Sequence, residues 1–386
     1  MSLPFNFVTD NIVKNKIYPA LAQWQAQPYT KEWRDFVRHW PNTVPIELLE
    51  HCRAHNYPHN ISTTGLGFYA IGLGFFNFDV DYFDLIPHWV LENNNKILFY
   101  YHEGDNPYRI KQRLDELCYI HQLPVDCYRF VSGNTAADNI PGFVYFADHE
   151  LLYWNRNRTV PACALNFAPR SKEFTVLSRT HKWWRATVMT DMIRNQILTN
   201  SFWSYNTDIS LDELPNDNPI EIDTLDISTD ITDFLAGAPY TCDTQTQEQH
   251  NDHSQTELAH YCDSYCSVVL ETHYDADQSG GAFLTEKTFK PIKHGQPFVI
   301  VGAPGSLETL RKLGYKTFDQ VIDSSYDNIQ NNTHRWQKTL QVIKQLQQQD
   351  MHKILLACQA DLKHNQELFL SSKYTRLNSL LERLHD

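Results

Sequence analysis

The sequence predicts an α/β protein made of two Rossmann-like domains in succession, facing a cleft, with a carboxy-terminal helical tail. Three observations predict it. Short apolar runs alternate with amphipathic stretches from Lys96 onward, the alternation restarts after Arg170, and residues 334–370 are helical in pattern with no further strand. Strands alternating with helical patterns imply parallel sheets with crossover helices. In such sheets ligands bind at the carboxyl ends of the strands.

The elements follow in order. The first 90 residues mix helical-looking stretches with aromatic loops and fix no element order. KILFYY (96–101) is an apolar strand ending in the polar loop HEGDNP. RIKQRLDELCYIHQL (109–123) then sets Ile110, Leu114, Leu117 and Cys118 at helical spacing. CYRFVSGN (127–134) and GFVYFADHE (142–150) read as strands running into polar loops. The second series opens with FTVLS (174–178) as strand and RTHKWWRATVMTDMIRNQIL (179–198) as helix. The acidic stretch 208–233 and the Gln/Thr/His-rich stretch 243–257 read as loop or insertion. CSVVLETHYD (266–275) is the next strand, LTEKTFKPIKHG (284–295) a helix closed by Gly295, FVIVG (298–302) a buried strand and SLETLRKLG (306–314) a short helix. The tail is expected to break once. These readings give an amino-terminal domain of residues 1–165 and a carboxy-terminal domain of 166–386 that includes the tail 334–386.

Composition narrows the function classes. The chain has 386 residues, 42% hydrophobic and 20% charged, which is globular and long enough for two cores. Its net charge of −13 disfavours nucleic acid as a partner, since gripping a phosphate backbone needs a basic face. Charge is uneven, however: 172–194 is basic, so an anionic ligand can find a local positive site. MSLPFNFVTDNIVKNK lacks the basic start and apolar core of a secretory signal. No run of 18 apolar residues exists, so no membrane span is expected. The eight cysteines are scattered and read as reduced thiols. Together these point to a cytoplasmic protein.

Two segments carry the candidate chemistry. In Phe283-Leu284-Thr285-Glu286-Lys287-Thr288-Phe289-Lys290-Pro291, Thr285 and Glu286 open a helix whose amino terminus favours an anion. Lys287 and Lys290 share one helix face and can reach phosphate oxygens. Glu286 can accept from both hydroxyls of a ribose, as carboxylates do in dinucleotide folds. By spacing alone the same residues suit a capped surface helix with a solvated Glu-Lys pair. In Ser178-Arg179-Thr180-His181-Lys182-Trp183-Trp184-Arg185, three cations sit at a strand-to-helix turn, where cations oppose the helix dipole. Converging Arg and Lys there can neutralise a departing diphosphate.

Those two segments resemble the donor-site region of the GT10 fucosyltransferases and their bacterial, viral and phage relatives. FLTEKTFKPIKHGQPFVIVGAPG is similar to the family's strand, V/L-T-E-K helix, small-residue turn and apolar strand. FTVLSRTHKWWRATVMTDMI is similar to its upstream strand, polar loop and Arg-opened helix. The resemblance implies a GT-B fold, an inverting displacement and no required metal. It implies that Glu286 meets the ribose while Lys287 and Arg185 meet the diphosphate. Phe283 falls where the family carries Tyr, and the Trp183-Trp184 pair marks a divergent branch.

The site expected from the sequence therefore comprises Arg179, Lys182, Arg185, Phe283, Thr285, Glu286, Lys287 and Lys290 around a nucleotide-sugar donor, with a GDP-linked sugar as one option. The partner is a glycan or another hydroxyl acceptor. Inverting transfer also needs a carboxylate to deprotonate the acceptor. Glu103 in the loop after KILFYY is the first candidate, with Asp105 its neighbour and Asp148 and Glu150 the alternatives. Asp79-Val80-Asp81 and Asp275-Ala276-Asp277 match the D-x-D pattern that holds Mn²⁺ or Mg²⁺ on sugar diphosphates. The pattern is short and common by chance in an acidic chain, so no metal is expected. The rival readings are a non-catalytic nucleotide- or sugar-binding protein of the same fold and a metal-dependent D-x-D transferase.

Overall fold

The computed structural model describes residues 5–8, 59–62, 67–73, 76–93, 95–156, 161–206, 218–242 and 257–385. Of the stretches expected as loop or insertion, 208–233 and 243–257, residues 208–217 and 243–256 lie outside them, as does most of the amino-terminal stretch read for a signal. The described remainder of the acidic stretch is not loop but carries helical turns at Ile222–Leu225 and the start of the helix Ser228–Ala236. Two compact units emerge, one of Met1–Asp148 with Ser372–Asp386 and one of His149–Ser371. Each is a Rossmann-like α/β unit with a parallel sheet, the kind of unit from which GT-B proteins are assembled.

The first unit holds β1 (Phe5–Val8), β2 (His59–Ser62), β3 (Phe68–Leu73), β4 (Lys96–Tyr101), β5 (Tyr128–Ser132) and β6 (Phe143–Tyr145). They pair in the order β2-β1-β3-β4-β5-β6, every pair parallel. β4 is buried from Ile97 to Tyr101, the continuous apolar run that a strand covered on both faces needs. Helix α1 (Pro107–Ile120) begins where Asn106 accepts from the N–H groups of Tyr108 and Arg109 and Pro107 sits at the first helical position. It buries Ile110, Leu114, Leu117 and Cys118, the positions its spacing predicts. Rings dominate this core, with Phe130 stacked on Phe143 at 4.8 Å.

The second unit holds β7 (Lys172–Ser178), β8 (Phe202–Tyr205), β9 (Ser264–Leu270) and β10 (Phe298–Val301), all parallel in the order β10-β9-β7-β8. The chain builds outward from β7 to β8, then returns to build outward from β9 to β10. The order thus reverses between β7 and β9, which makes their carboxyl ends the switch point where open sheets bind ligands. Helices α2 (Asp148–Arg156), α3 (Trp183–Arg194), α4 (Ser228–Ala236), α5 (Glu286–His294), α6 (Ser306–Lys312), α7 (Asn332–Gln347), α8 (Met351–Ala357) and α9 (Gln359–Ser371) accompany the sheet.

Several sequence expectations are corrected. β8 was not anticipated, because FWSY is not a continuous buried run: only Tyr205 is buried, whereas all four residues of β10 are. The helix expected from Arg179 begins at Trp183, since Lys182 is extended at φ −145° and ψ 139°. The tail breaks more than once: Asp350 caps the start of α8 through His352 N and Lys353 N, ending one helix and starting another. The division falls at Asp148/His149 instead of 165/166. Tyr153 of α2 hydrogen-bonds His294 at 3.1 Å and packs on Phe369, which places that helix in the second unit. The last helix, α10 (Lys373–His385), belongs to the first unit, where Arg383 reaches Asp138 and the carbonyl of Tyr145. Gly295 does close α5, at φ +66°, and a Cβ there would lie 2.1 Å from Leu165 Cδ2. No described helix is long and apolar enough to cross a membrane.

Arg335 on α7 fastens the segments that follow β9 and β10 in the second unit. Its guanidinium donates to the carbonyls of Gly302, Ile329, Gln330 and Tyr274 and to Asn332 Oδ1. Arg335→Met keeps the aliphatic stem and leaves those buried carbonyls unpaired. It should destabilise the protein by about 3 kcal/mol or more, read from the shift of a urea unfolding midpoint.

Candidate functional site

β7 and β9 each end in a polar turn, and the two turns meet at the switch point of the second unit. Leu270 is the last strand residue of β9, and Glu271, Thr272 and His273 follow it. Glu271 is fully buried. Its carboxylate accepts from Thr285 N at 3.0 Å, Thr285 Oγ1 at 2.7 Å, Thr288 Oγ1 at 2.5 Å and Thr272 N at 3.1 Å. One strand end is thereby fastened to the first turn of α5. Thr285 also caps that helix, accepting from Lys287 N through its hydroxyl.

Segments about a hundred residues apart in sequence converge here. Lys182, at the start of α3, donates to the carbonyl of Thr272 at 2.6 Å. Lys287 approaches Thr272 Oγ1 at 3.4 Å and Thr285 Oγ1 at 3.2 Å, and pairs with Glu286 at 3.0 Å. His273 registers the same convergence: burial first, then the charges of Lys182, Arg185 and Lys287, push its pKa down to about 3, so the ring is neutral at physiological pH. Arg179 lies near enough to Arg185 for its charge to be felt there. Four cations thus face two carboxylates, Glu271 and Glu286, in a protein whose overall charge is −13.

The expected residues do not all sit as the sequence implied. Arg185 is 2% exposed, and its guanidinium donates to the carbonyls of Thr180, Leu270 and Glu271. It ties the β7 turn to the end of β9, because a planar fork of N–H groups matches a row of strand-end carbonyls. Burial lowers its pKa to about 10, opposed chiefly by Glu271, and it remains charged at neutral pH. Phe283 is 2% exposed, its ring edge-on to His149 at 5.1 Å and tilted against His273 at 5.5 Å. It supports the site and offers no open face for stacking. Lys290 is felt electrostatically by His294 at the far end of α5.

Glu286 keeps a side chain 8% exposed between His149, whose Nδ1 lies 3.5 Å from Oε2, and Lys287. His149, Glu271, Thr272 and His273 escaped the sequence reading. LETHYD stood there as the tail of a strand, and its position at a strand's carboxyl end was the available signal for it.

The carboxylates weighed as bases differ in engagement. Glu103 follows β4 in the first unit, its side chain 38% exposed and 3.9 Å from His102 Nε2. Asp105 accepts from Tyr101, and Asp148 from Tyr100. Glu150 is buried and accepts from Tyr315 at 2.5 Å. The D-x-D aspartates serve turns: Asp81 accepts from Phe83 N and pairs with His121 at 2.9 Å, and Asp275 accepts from Asp277 N and Asn332. Asp79 donates its N–H to Asn77 in the same turn.

No family model and no curated protein matches the chain. Among solved structures it is similar to a DNA-modifying β-glucosyltransferase, at 9% identity over all of both chains and a TM-score of 0.36. It is also similar to a UDP-forming trehalose-phosphate synthase from Burkholderia xenovorans, at 9% identity over 97% of this chain and 84% of that one, TM-score 0.42. A third is a UDP-N-acetylglucosamine 2-epimerase described as putative, from Listeria monocytogenes, at 9% identity over 99% and 98%, TM-score 0.37. Likenesses of this strength assign neither family nor activity.

Glu271→Gln replaces an all-acceptor group by one that turns an NH₂ toward backbone and hydroxyl donors. It should destabilise the protein by about 2 kcal/mol, measured as a lower urea midpoint, because at least one buried donor loses its acceptor.

Proposed function

We propose that the chain is an inverting glycosyltransferase that binds a nucleotide-sugar donor through its second unit, as a divergent GT10-like protein of the GT-B kind. The observation that carries this reading is the meeting of Lys182 and Lys287 at Thr272, beside Glu286, at the switch point between β7 and β9. A cationic cluster there suits a diphosphate, and a buried carboxylate at its edge suits a ribose diol. Arg185 acts on the departing diphosphate through its charge, since its N–H groups on Nη1 and Nη2 are engaged by carbonyls. No metal is required in this scheme, because the cations compensate the charge that develops on the leaving group. Glu103 serves as the base toward a hydroxyl acceptor, its side chain being 38% exposed where Asp148 and Glu150 are buried. A cytoplasmic setting with a glycan acceptor and a GDP-linked donor is the simplest version.

A thermal-shift screen against UDP-, GDP-, CMP- and dTDP-linked sugars tests the donor class. A ligand at 100 times its Kd should add about 2.7 kcal/mol and raise the melting temperature. A rise with none of them removes the nucleotide-sugar reading.

Two variants test the roles. Glu286→Ala should weaken binding of the responsive nucleotide about tenfold, by titration calorimetry. Glu103→Gln should keep that affinity while transfer to acceptor falls about 10²-fold. Near-normal transfer by Glu103→Gln removes Glu103 from the mechanism.

A further inference from the structure

Two helices begin at the switch point of the second unit, and their amino termini differ. That of α5 is satisfied by Thr285 and held by Glu271. That of α3 has no side-chain cap: Lys182 occupies the capping position with an extended backbone and no side-chain hydrogen bond to the first turn. A helix start without such a cap carries the partial positive charge of its N–H groups.

The turn leading into α3 also gathers buried polar atoms that have no hydrogen-bond partner among the described residues. They are Ser178 Oγ, His181 Nε2, Trp183 Nε1 and Arg185 Nε, all within eight residues. Elsewhere in the described chain such atoms occur singly. Ser178, His181 and Arg185 are each 2% exposed. Arg185 reaches back across the turn to the carbonyl of Thr180 at 3.1 Å, and His181 stands edge-on to Trp183 at 5.3 Å, so the residues of this short turn pack against one another.

Their chemistry is uniform. Trp Nε1 and Arg Nε are donors only, and a serine hydroxyl can donate. His181 becomes a donor at Nε2 through its neighbour. The Tyr205 oxygen accepts from the backbone N–H of Lys182, and in the tautomer we assign to His181 its Nδ1 accepts the Tyr205 proton, which leaves the ring hydrogen on Nε2. Burial and the charge of Arg185 hold the imidazole neutral, and burial holds the Tyr205 hydroxyl protonated. A buried donor without an acceptor is costly, and four in one turn make sense as a site completed by an acceptor-only ligand.

We infer that the turn Ser178–Arg185 is an anion-binding loop in which Ser178, His181 and Trp183, with Arg185 Nε, donate to phosphate oxygens at the uncapped start of α3. The inference rests on the donor-site reading above and adds neutral donors to its cations. The ligand chemistry is a phosphate or diphosphate, and the diphosphate of a nucleotide supplies it.

Trp183→Phe and Ser178→Ala each delete one such donor with little change of shape. Binding of inorganic pyrophosphate, UDP and GDP is measured by titration calorimetry on the full chain, and thermal unfolding is measured without ligand. Each variant should bind the tightest of these probes about tenfold more weakly, as expected for one hydrogen bond to a charged group. Each should melt without ligand at the wild-type temperature or higher, because an unpaired donor has been removed. A donor with a purely structural partner would give the opposite pair of results, lower melting and unchanged affinity, and that overturns the inference. It is equally overturned if wild-type protein binds none of the three probes, or binds them no better than the variants. If pyrophosphate binds with the expected losses while every nucleotide sugar fails to bind, the loop stands and the donor reading falls. If nucleotide sugars bind equally to wild type and variants, the donor reading stands and the loop falls.

Discussion

The second unit depends on one buried carboxylate. Glu271 stands at the end of β9, where the sheet's strand order reverses, and four donors from Thr272, Thr285 and Thr288 surround it. A charge in so dry a place is tolerable only when its lone pairs are filled and a counter-charge is near. The threonines supply the first condition. Arg185, which donates to the Glu271 carbonyl and feels its charge, supplies the second. The consequence is geometric: β9, the start of α5 and the turn into α3 are held as one piece.

That arrangement explains why the cations gather. Lys182 and Lys287 come from different helices, yet both reach Thr272, because Thr272 is the next residue after the carboxylate that fixes both helix starts. Two carboxylates temper four cations, and His273 adds no charge, because burial and those same charges hold it neutral. The local surplus of positive charge survives in an acidic protein because it is confined to a strand-end turn, where low-dielectric surroundings lengthen its reach.

A division of labour between the two helix starts follows. α5 is closed by its own threonine and by Glu271, so its contribution is to present Glu286 and Lys287 at fixed positions. α3 is closed by nothing of its own, and its preceding turn is rich in unpaired donors. The first is a rigid mount, and the second is the turn to which the anion-binding role is assigned. Phe283 belongs to the mount, wedged between His149 and His273.

Much of this was legible in the sequence. KILFYY and FVIVG carry continuous apolar runs of strand length, and burial on both faces demands that pattern, while FTVLS shows it in part. Gly295 announced the end of α5, since only a residue without Cβ turns left-handed cheaply beside Leu165. The basic turn before α3 stood out because cations oppose the dipole at a helix start, and the T-E-K segment because it opens a helix that favours an anion. What the sequence by itself determined was the alternation of strand and helix and the chemical identity of these two segments, because periodicity and side-chain chemistry are local. The tertiary structure alone decided that Lys182 and Lys287 share Thr272, that the guanidinium of Arg185 is engaged by strand-end carbonyls, and that α10 belongs with the first unit. Strand order and burial set those outcomes, and both are properties of the packed sheet that no stretch of neighbouring residues encodes.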